Sequence, residues 1–405
     1  MQNRFDFSGV TNAEVSVHST HWTLIAEGFH RRGGMEKANA ALASYLSSQG
    51  IPVKLVAFSV DPELRDKPGV SCTIAAAAGR RPLLGRLYLA QLGHSTASES
   101  TAKSPSARVL VNGINCRWSD INWVHWLHQC WRAPVHGAPF WFRLKQHVEM
   151  SRASYLERTA FRRTRLIIAN SERTKRDLVE LIGVSPARIH TIYLGTDWVW
   201  KKVTPDRRAA ARSWLQIPPN RPLVAFVGAL GYDLRKGFDV LWRAWTDLCR
   251  LPEWDGYLVV AGHGRTLSNW RRVASDSGLG ARIRFLGFTS RIPDVLAASD
   301  LLVSPARYES YGLNVQEALS CGIPSIVSAS AGVAERYKPE LSPLLLPNSE
   351  DSRDLVARIL RWRQDMPGWI QRVQPTMKML RNYTWDDMSR RMVTLAEVCK
   401  TEPKH

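Results

Sequence analysis

Apolar runs of strand length recur along this chain, each followed by a glycine-containing polar loop and then by apolar residues at helical spacing. The run within 298–303 is broken by Pro305, and the polar stretch to Gly312 reads as a loop. From Leu313, the positions Leu313, Val315, Ala318 and Leu319 predict a helix that stops at Cys321-Gly322, ahead of Pro324. Residues 224–227 predict a strand that passes through Gly228 into a loop carrying Arg235 and Lys236, then an amphipathic helix over 240–249. The same order recurs at 21–42 around Gly33-Gly34, and at 166–178, where Asn170-Ser171 caps the helix. An apolar strand from Asp120 ends in a loop with His125 and His128. Near the C-terminus a Thr-capped helix begins at Trp385, with Trp385, Met388, Met392 and Leu395 on one side. The Ser-, Thr- and Ala-rich stretch 95–106 is predicted to be a mobile loop.

This alternation argues for parallel sheets with helices on both faces, which bind ligands beyond the carboxyl ends of their strands. At 405 residues the chain exceeds one ordinary core, and its 44% hydrophobic content suffices for two. The expected break lies near Val203-Thr204-Pro205, with 217–220 leading into the second domain. The six cysteines form no C-x-x-C pair and no metal spacing, which predicts reduced thiols in a cytoplasmic protein. No D-x-D handle for a metal diphosphate occurs, and no signal peptide or long uncharged apolar run is evident.

The candidate chemistry gathers on the predicted loops. Glu309 falls on the loop before Gly312, and Glu317 on the first turns of the helix after it. Gly312 lets a ligand approach the backbone, and the amides of Leu313 and Asn314 aim at an anion with the helix dipole behind them. A diphosphate suits that corner, with one carboxylate for the hydroxyls of a sugar and the other for those of a ribose. Arg235 and Lys236 can neutralise a departing diphosphate. His125, or His128 one loop step on, can orient an acceptor hydroxyl.

The E-x7-E spacing of Glu309 and Glu317, followed by A-L-S-C-G-I-P, resembles the donor site of retaining family 4 glycosyltransferases of the GT-B fold. The resemblance spans about residues 20 to 390. It implies two Rossmann-like domains facing across a cleft: an acceptor-side domain over 1–200 and a donor-binding domain over 201–384. The helix 385–400 would pack back on the first domain. It further implies a retaining, metal-independent hexosyltransferase acting on a UDP- or GDP-sugar, without a cofactor. Catalytic residues would be His125, Arg235, Lys236 and Glu309, with Gly33, Gly34, Gly228, Gly312, Leu313, Asn314 and Glu317 around the donor. His128 is a further acceptor-side candidate. The chain departs from the family at Ala229, where an arginine is usual. Either Arg235 supplies that guanidinium from a loop one residue longer, or the diphosphate is held with one fewer cation.

Net charge is +19, and 131–176 alone carries eleven Lys or Arg against three Glu. Trp131, Phe140, Trp141 and Phe142 lie among these cations, a combination suited to an anionic lipid surface. The expected acceptor is therefore a lipid-linked glycan, lipopolysaccharide or polysaccharide precursor at the inner face of the cell membrane. Two other readings are a GT-B nucleotide-sugar epimerase or non-catalytic sugar-nucleotide binder, and a basic nucleic-acid-binding protein. The second leaves the loop motifs unexplained, so no nucleic-acid partner is expected.

Overall fold

A computed structural model describes residues 21–75, 82–131, 138–197 and 203–399. The expected domain boundary at 200, residues 132–137 of the basic segment and residue 400 of the last helix lie outside the described residues, as do 1–20.

The first part of the chain builds β1 (Trp22–Ile25), β2 (Gly28–Phe29), α1 (Gly34–Ser48), β3 (Val53–Ala57), β4 (Ser59–Val60), α2 (Pro62–Arg65) and β5 (Val70–Ile74). Next come α3 (Pro82–Lys103), β6 (Arg108–Asn112), β7 (Ile121–Val124), α4 (Phe140–Arg163), β8 (Leu166–Ala169), α5 (Glu172–Asp177) and β9 (Ile189–Thr191). The second part builds α6 (Pro205–Trp214), β10 (Leu223–Val227), α7 (Phe238–Cys249), β11 (Tyr257–Ala261), α8 (Leu267–Asp276), β12 (Ile283–Gly287) and α9 (Ile292–Ala298). It continues with β13 (Leu301–Ser304), α10 (Leu313–Ser320), β14 (Ser325–Ser328), β15 (Leu345–Leu346), α11 (Ser352–Gln364), α12 (Met366–Arg381) and α13 (Trp385–Val398).

Two parallel sheets result, ordered β5-β3-β1-β6-β7-β8-β9 and β12-β11-β10-β13-β14-β15, with β2 and β4 paired separately. These are two Rossmann-like domains, as the alternating pattern predicts. In each sheet the order reverses about a central strand, β1 or β10, and such switch points leave a crevice at the carboxyl ends. The loop with Gly33-Gly34 follows β1 by way of the short strand β2, and the loops with Lys236 and Glu309 leave β10 and β13, at the carboxyl-end side of the two sheets.

The C-terminal helix belongs to the first core. Trp385, Met388, Met392, Val393 and Ala396 of α13 are buried with Leu42 and Leu46 of α1. Leu395 is only partly buried; Ser389, Val393 and Ala396 complete the inward face instead. A capping box starts this helix: Thr384 Oγ1 accepts from Asp387 N–H at 3.2 Å, and Asp387 Oδ2 accepts from Thr384 N–H at 3.0 Å. Just before it the chain crosses the end of the first domain, where Thr196 N–H donates to the Tyr383 carbonyl at 2.9 Å.

One expectation fails. Residues 95–103 are not a loop but the second half of α3. Their hydroxyls bond back to carbonyls one turn earlier, Ser98 to His94 at 2.9 Å and Thr101 to Ala97 at 3.0 Å. Buried Leu89 and Ala97 pack on the sheet, and Ser100 Oγ lies 2.9 Å from Thr23 Oγ1 of β1. Tertiary burial overrides the low helix preference of Ser and Thr. The helix α7 also starts two residues earlier than predicted, at Phe238, because Gly237 takes a left-handed φ of 70° and ends the loop there.

At the crossing, a Cβ added to Gly195 would lie 2.5 Å from both the N and the Cα of Trp385. Gly195→Ala must therefore separate α13 from the chain it crosses. Thermal denaturation should show a loss of about 1–3 kcal/mol, the usual cost of overpacking. An unchanged Tm would mean the crossing has slack.

Candidate active site

The loop 305–312 is fastened first to its own domain. Arg307, nearly buried, donates to both carboxylate oxygens of Asp239 at 2.7 Å and to the Leu234 carbonyl at 2.6 Å, and it also pairs with Glu350. The Asp239 and Glu350 carboxylates hold its pKa above the usual range despite burial. Arg307 N–H donates to the Arg235 carbonyl at 2.8 Å, so the loop after β10 and the loop after β13 form one unit. Gly237 sits so tightly against the Pro305 carbonyl that no side chain fits there. Lys236 Nζ consequently forms an ion pair with Glu309 Oε2. Burial alone would raise the Glu309 pKa, but Lys236, Arg235 and Arg173 outweigh it and hold the carboxylate below its ordinary range.

Helix α10 begins where the sequence places it. Gly312 has φ 112°, and a Cβ there would meet Val333 at 2.9 Å, so glycine is required. No side chain caps this end, which leaves the first-turn amides of Leu313 and Asn314 without intrahelical acceptors. Asn314 Nδ2 donates to the Val227 carbonyl at 2.9 Å, and a Cβ on Gly228 would lie 3.3 Å from Lys236 Cγ. From the opposite domain, Gly34 approaches Leu313 so closely that a Cβ would lie 3.4 Å from its Cδ2. Gly33, Gly34, Gly228, Lys236, Glu309, Gly312, Leu313 and Asn314 are thus brought to one junction.

Glu317 has company that the sequence did not announce. Lys37 Nζ of α1 lies 3.0 Å from Glu317 Oε1 and 2.6 Å from Asp197 Oδ2. Burial would lower the Lys37 pKa, but the two carboxylates outweigh it and raise it. For Glu317 burial dominates over the pairing with Lys37, and its pKa rises above the ordinary value. One cation shared by two carboxylates explains both directions. Next to it Gln316, buried, donates to the carbonyls of Leu194 and Gly195 at 3.1 and 2.8 Å, fixing the crossing chain to α10.

The same loop then docks on the first sheet. Ser310 Oγ donates to the His125 carbonyl at 2.5 Å, and Ser171 Oγ donates to the Ser310 carbonyl at 2.6 Å. Tyr308 packs edge-on against Trp126, 4.7 Å between centroids, with the Arg173 guanidinium 4.8 Å from its own ring centre. Arg235 reaches across to lie 4.5 Å over the Trp126 ring. Ala229 is exposed, and Arg235 and Arg173 both bring guanidinium groups to this junction. Trp126, Arg173, Tyr308, Ser310, Lys37 and Asp197 were all missed by motif reading; only Trp126 and Tyr308, polar-tipped aromatics inside the motif loops, carried a signal.

Of the two histidines, His125 is 7% exposed, its ring against Trp123 and its Nε2 without a hydrogen-bond partner. Burial pushes its pKa down to about 3, so the imidazole is neutral at physiological pH. His128 is half-buried, with Nδ1 2.7 Å from Glu157 Oε1. Among the described residues no group of three or more His, Cys, Asp or Glu could hold a metal ion.

Two Rossmann-like domains, with Glu309, Glu317 and the uncapped start of α10 at their junction, have the GT-B architecture. Two family models match in succession, glycosyltransferase family 4 over residues 32–198 and glycosyl transferases group 1 over residues 208–376, and the chain belongs to this family of glycosyltransferases. It is 27% identical over 372 residues to a D-inositol 3-phosphate glycosyltransferase of Nocardia farcinica, covering 85% of this chain and 81% of that one. WaaG, a glycosyltransferase involved in lipopolysaccharide biosynthesis, has the same fold at 17% identity, with TM-score 0.70 over 94% of this chain and all of WaaG. So does Anabaena HepE in complex with UDP-glucose, at 18% identity and TM-score 0.68, over 94% of this chain and all of HepE.

The buried His125 makes stability depend on acid. Its folded pKa, about 3, lies below the ordinary 6.5, so between these values the unfolded chain binds a proton that the native state does not. Its contribution is complete above pH 6.5 and is lost as pH falls toward 3. Thermal denaturation should show Tm falling from pH 6.5 downward, with a shallower fall for His125→Asn. Equal slopes would contradict a buried, neutral imidazole.

Proposed function

We propose that this glycosyltransferase moves a hexose from a UDP- or GDP-sugar to a hydroxyl acceptor with retention of configuration and without a metal ion. The observation that carries the reading is the convergence of Lys236, Glu309 and the α10 amides against the Gly33-Gly34 loop. A diphosphate at that corner meets Lys236, Arg235 and the positive end of a helix. The bound UDP-glucose of the fold neighbour HepE favours a uridine donor.

In the reaction, a sugar held by Glu309 places its anomeric carbon beside the diphosphate, and the acceptor hydroxyl attacks on the face that the diphosphate leaves. The leaving phosphate oxygen takes the acceptor proton. Lys236 exchanges its pairing with Glu309 for the developing charge of the leaving group, and Glu309 is freed for the sugar hydroxyls. His125, neutral, offers a hydrogen bond to the sugar rather than a charge. Glu317 would hold the ribose by exchanging Lys37 for its hydroxyls.

The acceptor we propose is a polar glycan or polyol presented at an anionic membrane surface. On α4 the residues Phe140, Trp141, Leu144, Val148 and Tyr155 fall within one stripe and are exposed, Phe140 at 76%. Exposed Arg143, Lys145, Arg158, Arg162 and Arg163 share this helix, so rings and cations together suit headgroups and phosphates. Trp131 and Phe142 do not belong to the stripe: both are half-buried, Phe142 against Tyr232. No helix among the described residues is long and apolar enough to cross a membrane; the attachment we propose, carried by this stripe, is peripheral and at the cytoplasmic face.

Lys236→Ala should lower turnover by about two to three orders of magnitude, the cost of removing one electrostatic stabiliser. A nucleotide-release assay with UDP- and GDP-sugars measures it, and wild-type turnover would remove Lys236 from the mechanism. In co-sedimentation at low salt, the protein should bind vesicles containing anionic lipid, and Phe140→Ser with Trp141→Ser should abolish this binding. No binding by the wild type would end the membrane assignment.

A further inference from the structure

Glu157 is the most isolated carboxylate in the first domain: 1% exposed, on the inward face of α4, with Oε2 unpartnered. Its Oε1 receives both the backbone N–H of His128 and, also at 2.7 Å, Nδ1 of the same residue. An oxygen that accepts from the backbone N–H acts as acceptor toward the ring as well, which makes Nδ1 the protonated nitrogen. In the neutral ring the lone pair then lies on the other nitrogen, Nε2. The ring is half-buried and stands edge-on to Trp126, 6.1 Å between centroids, the tryptophan whose face carries Arg235.

We propose that Glu157 is a positioning residue that locks His128 in the Nδ1–H form, so that Nε2 accepts a hydrogen bond from a hydroxyl of the sugar acceptor. This rests on the glycosyl-transfer reading and gives the two histidines separate duties: buried His125 serves the donor side, and His128 holds the acceptor. The same helix that presents the apolar stripe outward carries Glu157 inward, so one rigid element sets both the membrane-facing surface and the acceptor imidazole. A carboxylate is not required as such. Glutamine can accept from both donors through its carbonyl oxygen, whereas leucine cannot.

Long-range 15N–1H correlation on the full chain, with the His128 signals identified by their loss in His128→Ala, reads the tautomer directly. The expected result is Nδ1–H in the wild type and in Glu157→Gln, and loss of that form in Glu157→Leu; an Nε2–H ring in the wild type overturns the proposal. Kinetics use UDP-glucose or GDP-glucose with the probe acceptors D-inositol 3-phosphate and n-octyl glucoside. His128→Ala and Glu157→Leu should each raise the acceptor KM about tenfold, the worth of one hydrogen bond. The double variant should be no worse than either, and Glu157→Gln should stay near the wild type. An unchanged acceptor KM in His128→Ala, which removes only a half-buried ring, contradicts the proposal even if Glu157→Leu fails to fold. A wild type that cleaves no nucleotide sugar would instead refute the transferase reading, and the tautomer measurement would still stand.

Discussion

The site depends on one short segment being gripped from both sides. Residues 305–312 are bound to their own domain through Arg307 and to the other through Ser310 and Tyr308. Neither grip alone would place Glu309. Arg307 fixes the loop against the loop that supplies Lys236; Ser310 brings it to the end of β7, where His125 stands. Gly237, Gly312 and Gly332 are positions where this closeness leaves no room for a side chain. The central ion pair between Lys236 and Glu309 is the product of that geometry.

The electrostatics form two self-contained units. Around Glu309 the cations prevail, since Arg235 and Arg173 add to Lys236 and keep the carboxylate ionised. Around Glu317 the carboxylates prevail, since Glu317 and Asp197 share Lys37. Breaking one partner from such a buried set leaves an uncompensated charge, which is costly unless another group replaces it. A ligand carrying two negative phosphates and several hydroxyls offers Lys236 an anion and both glutamates hydrogen-bond donors, so its binding can exchange partners without stranding a charge. This gives the two carboxylates, eight residues apart, their unequal characters.

Much of this was legible in the chain itself. Glycine after an apolar run, followed by helical spacing, located the turns at Gly33, Gly228 and Gly312, because local backbone geometry and local sequence coincide there. Thr384 as a helix cap was readable for the same reason. What was not readable depends on contacts between distant segments. Lys37 looks like any charged helix residue until the fold sets it beside Glu317, 280 residues on. Residues 95–103 look like a loop because the packing that makes them helical comes from β1 and β6. Glu157 gave no signal either, since nothing in a helix of mixed charge distinguishes the one carboxylate that faces inward.

The account stands or falls on where a nucleotide diphosphate sits. A crystal structure of the protein with UDP should place the diphosphate on the amides of Leu313 and Asn314, with Lys236 turned from Glu309 to a phosphate oxygen. UDP bound elsewhere, with the Lys236 and Glu309 pair intact, would contradict it.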